Sequence, residues 1–148
     1  MRKQLLFGHI LTLLLGGMVY VSFRTDSLTM FKWFAALSLD TTIETLRETT
    51  LTIKQYFPDW FLFSLPDGLW IFSYVSLMLL LWKNEVNKQN LFWIFMVPLI
   101  AIASELGQLF NMVPGTFDLV DLTFYLLGTI IPFVVFTNNS LIIKIRTA

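Results

Sequence analysis

The chain has no cysteine and a single histidine among its 148 residues. Without cysteine there is no disulfide framework, no thiol nucleophile and no thiolate metal site. One histidine leaves zinc chemistry short of its usual ligands. Charge is scarce too: Asp, Glu, Lys and Arg make up 14% of the residues, against about 25% in soluble proteins. Ten bases cancel ten acids, so net charge gives no sign of a nucleic-acid partner. There is no glycine-rich phosphate loop, no motif pairing a nucleophile with its base, and no internal repeat. What remains is apolar, with 56% hydrophobic and 16% aromatic residues.

The apolar residues fall in runs whose length decides the class. About 20 residues rising 1.5 Å each cross the ~30 Å hydrocarbon core of a bilayer. Four stretches qualify, at about 5–23, 66–82, 91–110 and 119–136. The expected fold is an all-α membrane protein, a single integral domain over 1–148 with four transmembrane helices. The first run follows Met1-Arg2-Lys3, is of full span length and lacks a small-x-small cleavage site, so it reads as an uncleaved helix. His9 within it is expected to sit at the headgroup layer or to bond a neighbouring helix. Ser64-Leu65-Pro66-Asp67 reads as the start of the second span, with proline and a carboxylate in the first turn, and the apolar Trp60 to Phe63 before it is an alternative entry to that span. Trp82 to Asn90 is a polar turn, Pro98 removes a hydrogen bond inside the third span, and the fourth contains Gly128 and Pro132. Residues 137–148 form a polar tail with Lys144 and Arg146, its Leu141-Ile142-Ile143 run suited to the interface.

The one long connection, Arg24 to Asp59, has its own organisation. Ser27 to Leu39 is apolar but too short to span and carries Lys32 and Trp33, as an interfacial segment does. Leu39, Ile43, Leu46, Thr50, Ile53 and Phe57 then recur at spacings of four and three, one stripe of a helix. The pattern predicts an amphipathic helix over about 41–56, opened by a capping box of Thr41 and Glu44 and ended by Pro58. Such a helix docks on the bundle, lies on the membrane surface or holds a partner helix.

Arg2, Lys3, Lys83, Lys88, Lys144 and Arg146 share one side of a four-span chain, while the other side has Arg24, Lys32, Arg47 and Lys54 spread among acids. Basic segments near span ends stay in the cytoplasm, which favours both termini inside. Whichever way the chain faces, antiparallel spans bring Asp67, Glu105, Gln108, Asp118 and Asp121 toward one leaflet and His9 toward the other.

Glu105 is the residue that most needs an explanation. It lies about one and a half turns from the end of its span, where an intramembrane carboxylate costs about 2.5–3.5 kcal/mol. Three states are open to it: protonated, bonded to another span, or facing a wet cavity. Gln108, three residues on, shares its face. Asp118 and Asp121 match a helix start, where carboxylates are favoured by the helix dipole. If the acids converge without a close Arg or Lys they repel, unless protons, a hard cation such as Mg²⁺ or Ca²⁺, or a basic ligand intervenes. Paired acids also serve general acid–base chemistry. The residues point to no particular cofactor, and no catalytic or metal-ligating residue is singled out.

The stretch Ser104-Glu105-Leu106-Gly107-Gln108, with Asp121 and Gly128, resembles the VanZ-like family of small bacterial membrane proteins. That family has Glu and Gln three apart near the end of one span, a Gly-Arg turn, then Asp, Asn and Gly in the next. Here Tyr125 stands at the Asn position and Gly115-Thr116 replaces Gly-Arg, so the counter-charge of the family's acids is missing. The resemblance implies a bacterial cytoplasmic (inner) membrane location and a cell-envelope theme, linked in the namesake to antibiotic resistance. The expected function is a non-catalytic envelope protein whose acidic pocket at the outer leaflet binds a head group, cation or antibiotic-related ligand. The rivals are a lipid-modifying enzyme using these carboxylates and a small membrane subunit or immunity-type protein acting through its amphipathic helix. Expected partners are the lipid bilayer and an envelope ligand or partner membrane protein.

Overall fold

A computed structural model describes residues 1–136. The polar tail expected at 137–148 lies outside the described residues. Those described form six helices and no strand: α1 (Gln4–Phe23), α2 (Thr29–Ala36), α3 (Asp40–Ile53), α4 (Trp60–Leu81), α5 (Leu91–Leu109) and α6 (Leu119–Phe136). Of these, α1, α4, α5 and α6 are long and apolar enough to cross a membrane, which makes the chain a multi-pass membrane protein.

Helix α4 is the centre of the bundle, with 44% of its apolar 18-residue stretch buried against 17% for each of the other three spans. Its Ile71, Val75 and Leu79 form the core with Ile94 of α5, and Phe95 of α5 stacks on Phe133 of α6 at 5.6 Å. The outward faces carry Leu14, Met18, Leu99, Ile100, Ile130 and Val134, all exposed, as helices that face lipid must. Against α6 the approach is closest at Gly128, where a Cβ would lie 2.4 Å from the Gly68 carbonyl oxygen. Only a residue without a side chain fits that crossing.

Polar groups tie α1 to α4. Gln4 and Asn84 exchange amide hydrogen bonds of 2.8 and 3.1 Å, and Gln4 Nε2 also donates to the Ser76 carbonyl. His9 Nδ1 lies 2.7 Å from Ser73 Oγ, whose hydroxyl donates to the His9 carbonyl at 3.1 Å. With the Ser73 proton so engaged, Nδ1 is the donor of the pair. His9 therefore bonds a neighbouring helix, near the middle of α4.

Helix α3 docks on the bundle. The last carbonyls of α1 have no partner within their own helix; Arg47 Nη1 donates to Val21 O at 2.7 Å and Thr50 Oγ1 to Ser22 O at 3.3 Å. The guanidinium also lies over Phe31 of α2, 4.7 Å from the ring centre. One expected cap does not form, and the second span takes the earlier of its two expected entries. The Thr41–Glu44 capping box does not form: α2 ends through Ser38 at φ 57° with Leu39 N–H bonded to Phe34 O, and α3 begins at Asp40 with no side-chain cap. Thr41 is already helical. The second span is entered by the apolar Trp60 to Phe63, starting at Trp60, and its first turns, through Ser64, are π-wound. Leu65 N–H reaches back to Trp60 O; this wider turn eases the clash between a proline ring and the carbonyl four residues before it.

Candidate functional site

The acids meet where α1 and α5 finish and α4 and α6 begin. Glu105, on the last turns of α5, is 2% exposed. Its Oε1 accepts a 2.6 Å hydrogen bond from the Asp118 backbone N–H, and Asp118 Oδ1 accepts from Val120 N–H at 2.7 Å. Between them the two carboxylates satisfy amides that the start of α6 leaves without helical partners. Of the three states open to Glu105, bonding to the next span is the one observed. Asp118 caps α6, as its position implies.

Asp67 lies in the third turn of α4 and pairs with Arg24, Nη2 to Oδ2 at 3.8 Å. Arg24 follows directly on α1. Its Nη2 donates to Phe63 O at 3.3 Å, and its guanidinium lies 5.1 Å from the ring centres of both Tyr20 and Phe63. Asp121, in the first turn of α6, has a buried Oδ1 with no hydrogen-bond partner. Asp67 lies within coulombic range of Arg24, Glu105 and Asp121, and all three carboxylates lie within range of the Tyr125 hydroxyl. Three carboxylates and one guanidinium, paired with Asp67, thus gather at a poorly solvated end of the bundle.

No protein-family model, curated protein or solved structure matches the chain.

Of the five acids and amides expected to gather here, Asp67, Glu105 and Asp121 do so through their charges, and Asp118 joins through its backbone. Gln108 does not enter the cluster. It packs on the turn between α5 and α6, where a Cβ at Gly115 would lie 2.7 Å from the Gln108 side-chain amide carbon; Gly115 also has φ 138°, a conformation side chains rarely adopt. The expectation of acids without a close cation is corrected by Arg24. Its signal in the sequence is its place directly after the first apolar run, which the topology brings to the acidic end. Tyr125, one helical turn after Asp121, is the other member that sequence reasoning missed.

Among the described residues no three His, Cys, Asp or Glu side chains are arranged to hold a metal ion. The cluster therefore offers carboxylates, a guanidinium and a phenol as charge and hydrogen-bond partners. Beside it opens a cleft of about 250 Å³ lined by Asp59, Trp60, Phe63, Ser64, Asp118 and Val120. Trp60 is held flat against Phe124 of α6, ring centres 5.9 Å apart. The His9–Ser73 pair, near the middle of α4, is a tie between helices: Ser73 is fully buried and its proton is engaged.

Proposed function

We propose that this is a VanZ-like protein of the bacterial envelope, held in the cytoplasmic membrane with both termini inside, whose acidic end binds a head group, cation or antibiotic-related ligand without catalysing a reaction. The observation that carries the reading is Asp121. A carboxylate oxygen buried without a donor costs about 1–3 kcal/mol or more, and Asp121 Oδ1 is such an atom in a cluster where acids outnumber the cation. A ligand that brings positive charge or N–H groups relieves both the missing bond and the repulsion. Arg24 supports the resemblance as well, because it supplies from α1 the counter-charge that the Gly115-Thr116 turn lacks.

Glu105 supports a static scaffold for such a ligand rather than a reacting group, since its Oε1 is engaged with the start of α6. The test is complementation of a deletion strain. Glu105→Gln keeps an acceptor for Asp118, and Asp121→Asn keeps the shape of Asp121. Both are expected to express and insert yet fail to restore envelope phenotypes such as glycopeptide susceptibility; full rescue by both variants sinks the proposal. Single cysteines at Thr116 and Lys88 in this cysteine-free chain test the orientation. An impermeant thiol reagent is expected to label Thr116→Cys alone in intact cells.

A further inference from the structure

Two cations and an aromatic-walled cleft meet at Phe63. Arg24, just after α1, and Lys54, just after α3, come from separate elements to the same ring, 5.1 and 5.8 Å from its centre. The ion pair of Arg24 is one contact of 3.8 Å with Asp67, and its Nε is buried without an acceptor. Lys54 has no carboxylate partner among the described residues. Phe63 also lines the cleft, where Trp60 forms a second aromatic wall and Asp59 and Asp118 supply carboxylates. As the fourth residue of α4, Phe63 stands at the membrane boundary, the depth of lipid head groups.

We infer that this cleft seats the head group of a zwitterionic phospholipid, its phosphate drawn toward Arg24 and Lys54 and its ammonium held between Asp59 and Asp118 against Trp60. The inference rests on the head-group reading above and names the class of ligand. Charge decides it. A purely anionic head group answers the two cations but adds to the repulsion from Asp59, Asp118 and the three inner carboxylates. An inorganic cation leaves Lys54 unanswered and makes no use of the aromatic walls. A phosphate and an ammonium joined by a short linker match both halves of the site, with charge-assisted hydrogen bonds on one side and a cation over aromatic faces on the other. The volume agrees: about 250 Å³ is just under the ~300–1,000 Å³ of pockets that enclose whole small molecules. It suits a head group whose acyl chains stay in the bilayer.

The same chemistry is carried by a soluble phosphorylated amine, so the experiment separates the two sources. The intact protein is placed in nanodiscs of equal phosphatidylethanolamine and phosphatidylglycerol, and the lipid it retains is counted by native mass spectrometry. Retained phosphatidylethanolamine is expected to exceed its bulk share. Lys54→Gln should lower that retention about fivefold, the ~1 kcal/mol contributed by one interfacial lysine. Asp59→Asn and Asp118→Asn should lower it while leaving the circular dichroism unchanged, since asparagine also caps α6. Displacement of the lipid by millimolar phosphoethanolamine overturns the lipid assignment in favour of a soluble ligand. Preference for phosphatidylglycerol overturns the zwitterion and leaves the head-group reading standing. Retention at the bulk ratio for every variant overturns both.

Discussion

Replacing Gly128 by alanine tests the crossing on which the acidic end depends. The added methyl carbon would lie 2.4 Å from the Gly68 carbonyl oxygen, and 3.2 Å from both Ile71 Cβ and Phe72 N. A carbon next to a carbonyl oxygen settles at about 3.3–3.6 Å, so α4 and α6 must part by roughly 1 Å. The obstacle is backbone and cannot rotate aside. Parting the helices also loosens Ile71 and Val75 against Tyr125 and Phe133. Overpacking of this kind costs about 1–3 kcal/mol, and a backbone contact belongs at the upper end. The gain from alanine in a helix, about 0.5–1 kcal/mol, leaves a net loss of about 2 kcal/mol. Gly17 on α1 is the control, because a Cβ there meets nothing within 4 Å; Gly17→Ala should be neutral or slightly stabilising. The measurement is the midpoint of unfolding when sodium dodecyl sulfate is titrated into purified protein in mild micelles, followed by tryptophan fluorescence. Equal midpoints for the two variants, or a more stable Gly128→Ala, would refute the reasoning.

Arg24→Gln leaves Asp67 without its ion pair and should destabilise by about 1–2 kcal/mol, less than the ~3–5 kcal/mol of a fully buried pair. Adding Asp67→Asn should recover part of the loss, and additive single and double variants in the same titration would show that the pair is not coupled. Arg47→Met removes a charged donor from the Val21 carbonyl, worth about 1.5–3 kcal/mol. Amide exchange in α3 should quicken by tenfold or more with α4 unchanged; an unaltered α3 would mean that its docking does not depend on this bond. Glu105→Ala removes the acceptor for Asp118 N–H and should cost about 1–3 kcal/mol, whereas Glu105→Gln should cost under half of that. Equal losses would assign the role of Glu105 to its charge instead.

The spans were legible because membrane crossing is set by run length and hydropathy, which need no knowledge of neighbours. The stripe from Leu39 to Phe57 was legible for a similar reason: a helical period is local. Position along the chain also sufficed to gather Asp67, Glu105 and Asp121, since antiparallel spans fix which ends meet. Partners were not legible. That Gly128 faces the Gly68 carbonyl depends on how α4 and α6 rotate about their axes, which apolar sequences on all sides leave open. Arg24 was read as one charge of a loop because its contact with Asp67 spans 43 residues of chain. The capping box at Thr41, though not the helix itself, and the proline start at Pro66 were local signals overruled by their neighbours. The left-handed Ser38 closes α2 and sets the entry to α3 one residue before Thr41. The apolar Trp60 to Phe63 belong to the span, and proline is tolerated once the turn before it widens.

The central place of α4 has a consequence for how the chain is assembled. Each of its faces waits for a helix made at a different time. When the ribosome has finished α4, the ties from Gln4 to Ser76 and from His9 to Ser73 can already close, and the two-helix unit is complete. The face around Gly68, with its bare carbonyl, stays against lipid until α6 is synthesised 60 residues later at Gly128. An insertion intermediate truncated after α5 should therefore expose a groove where the finished protein has its tightest contact. The acidic end cannot form before that groove is filled, because Asp121 and the amide that binds Glu105 both arrive with the last span.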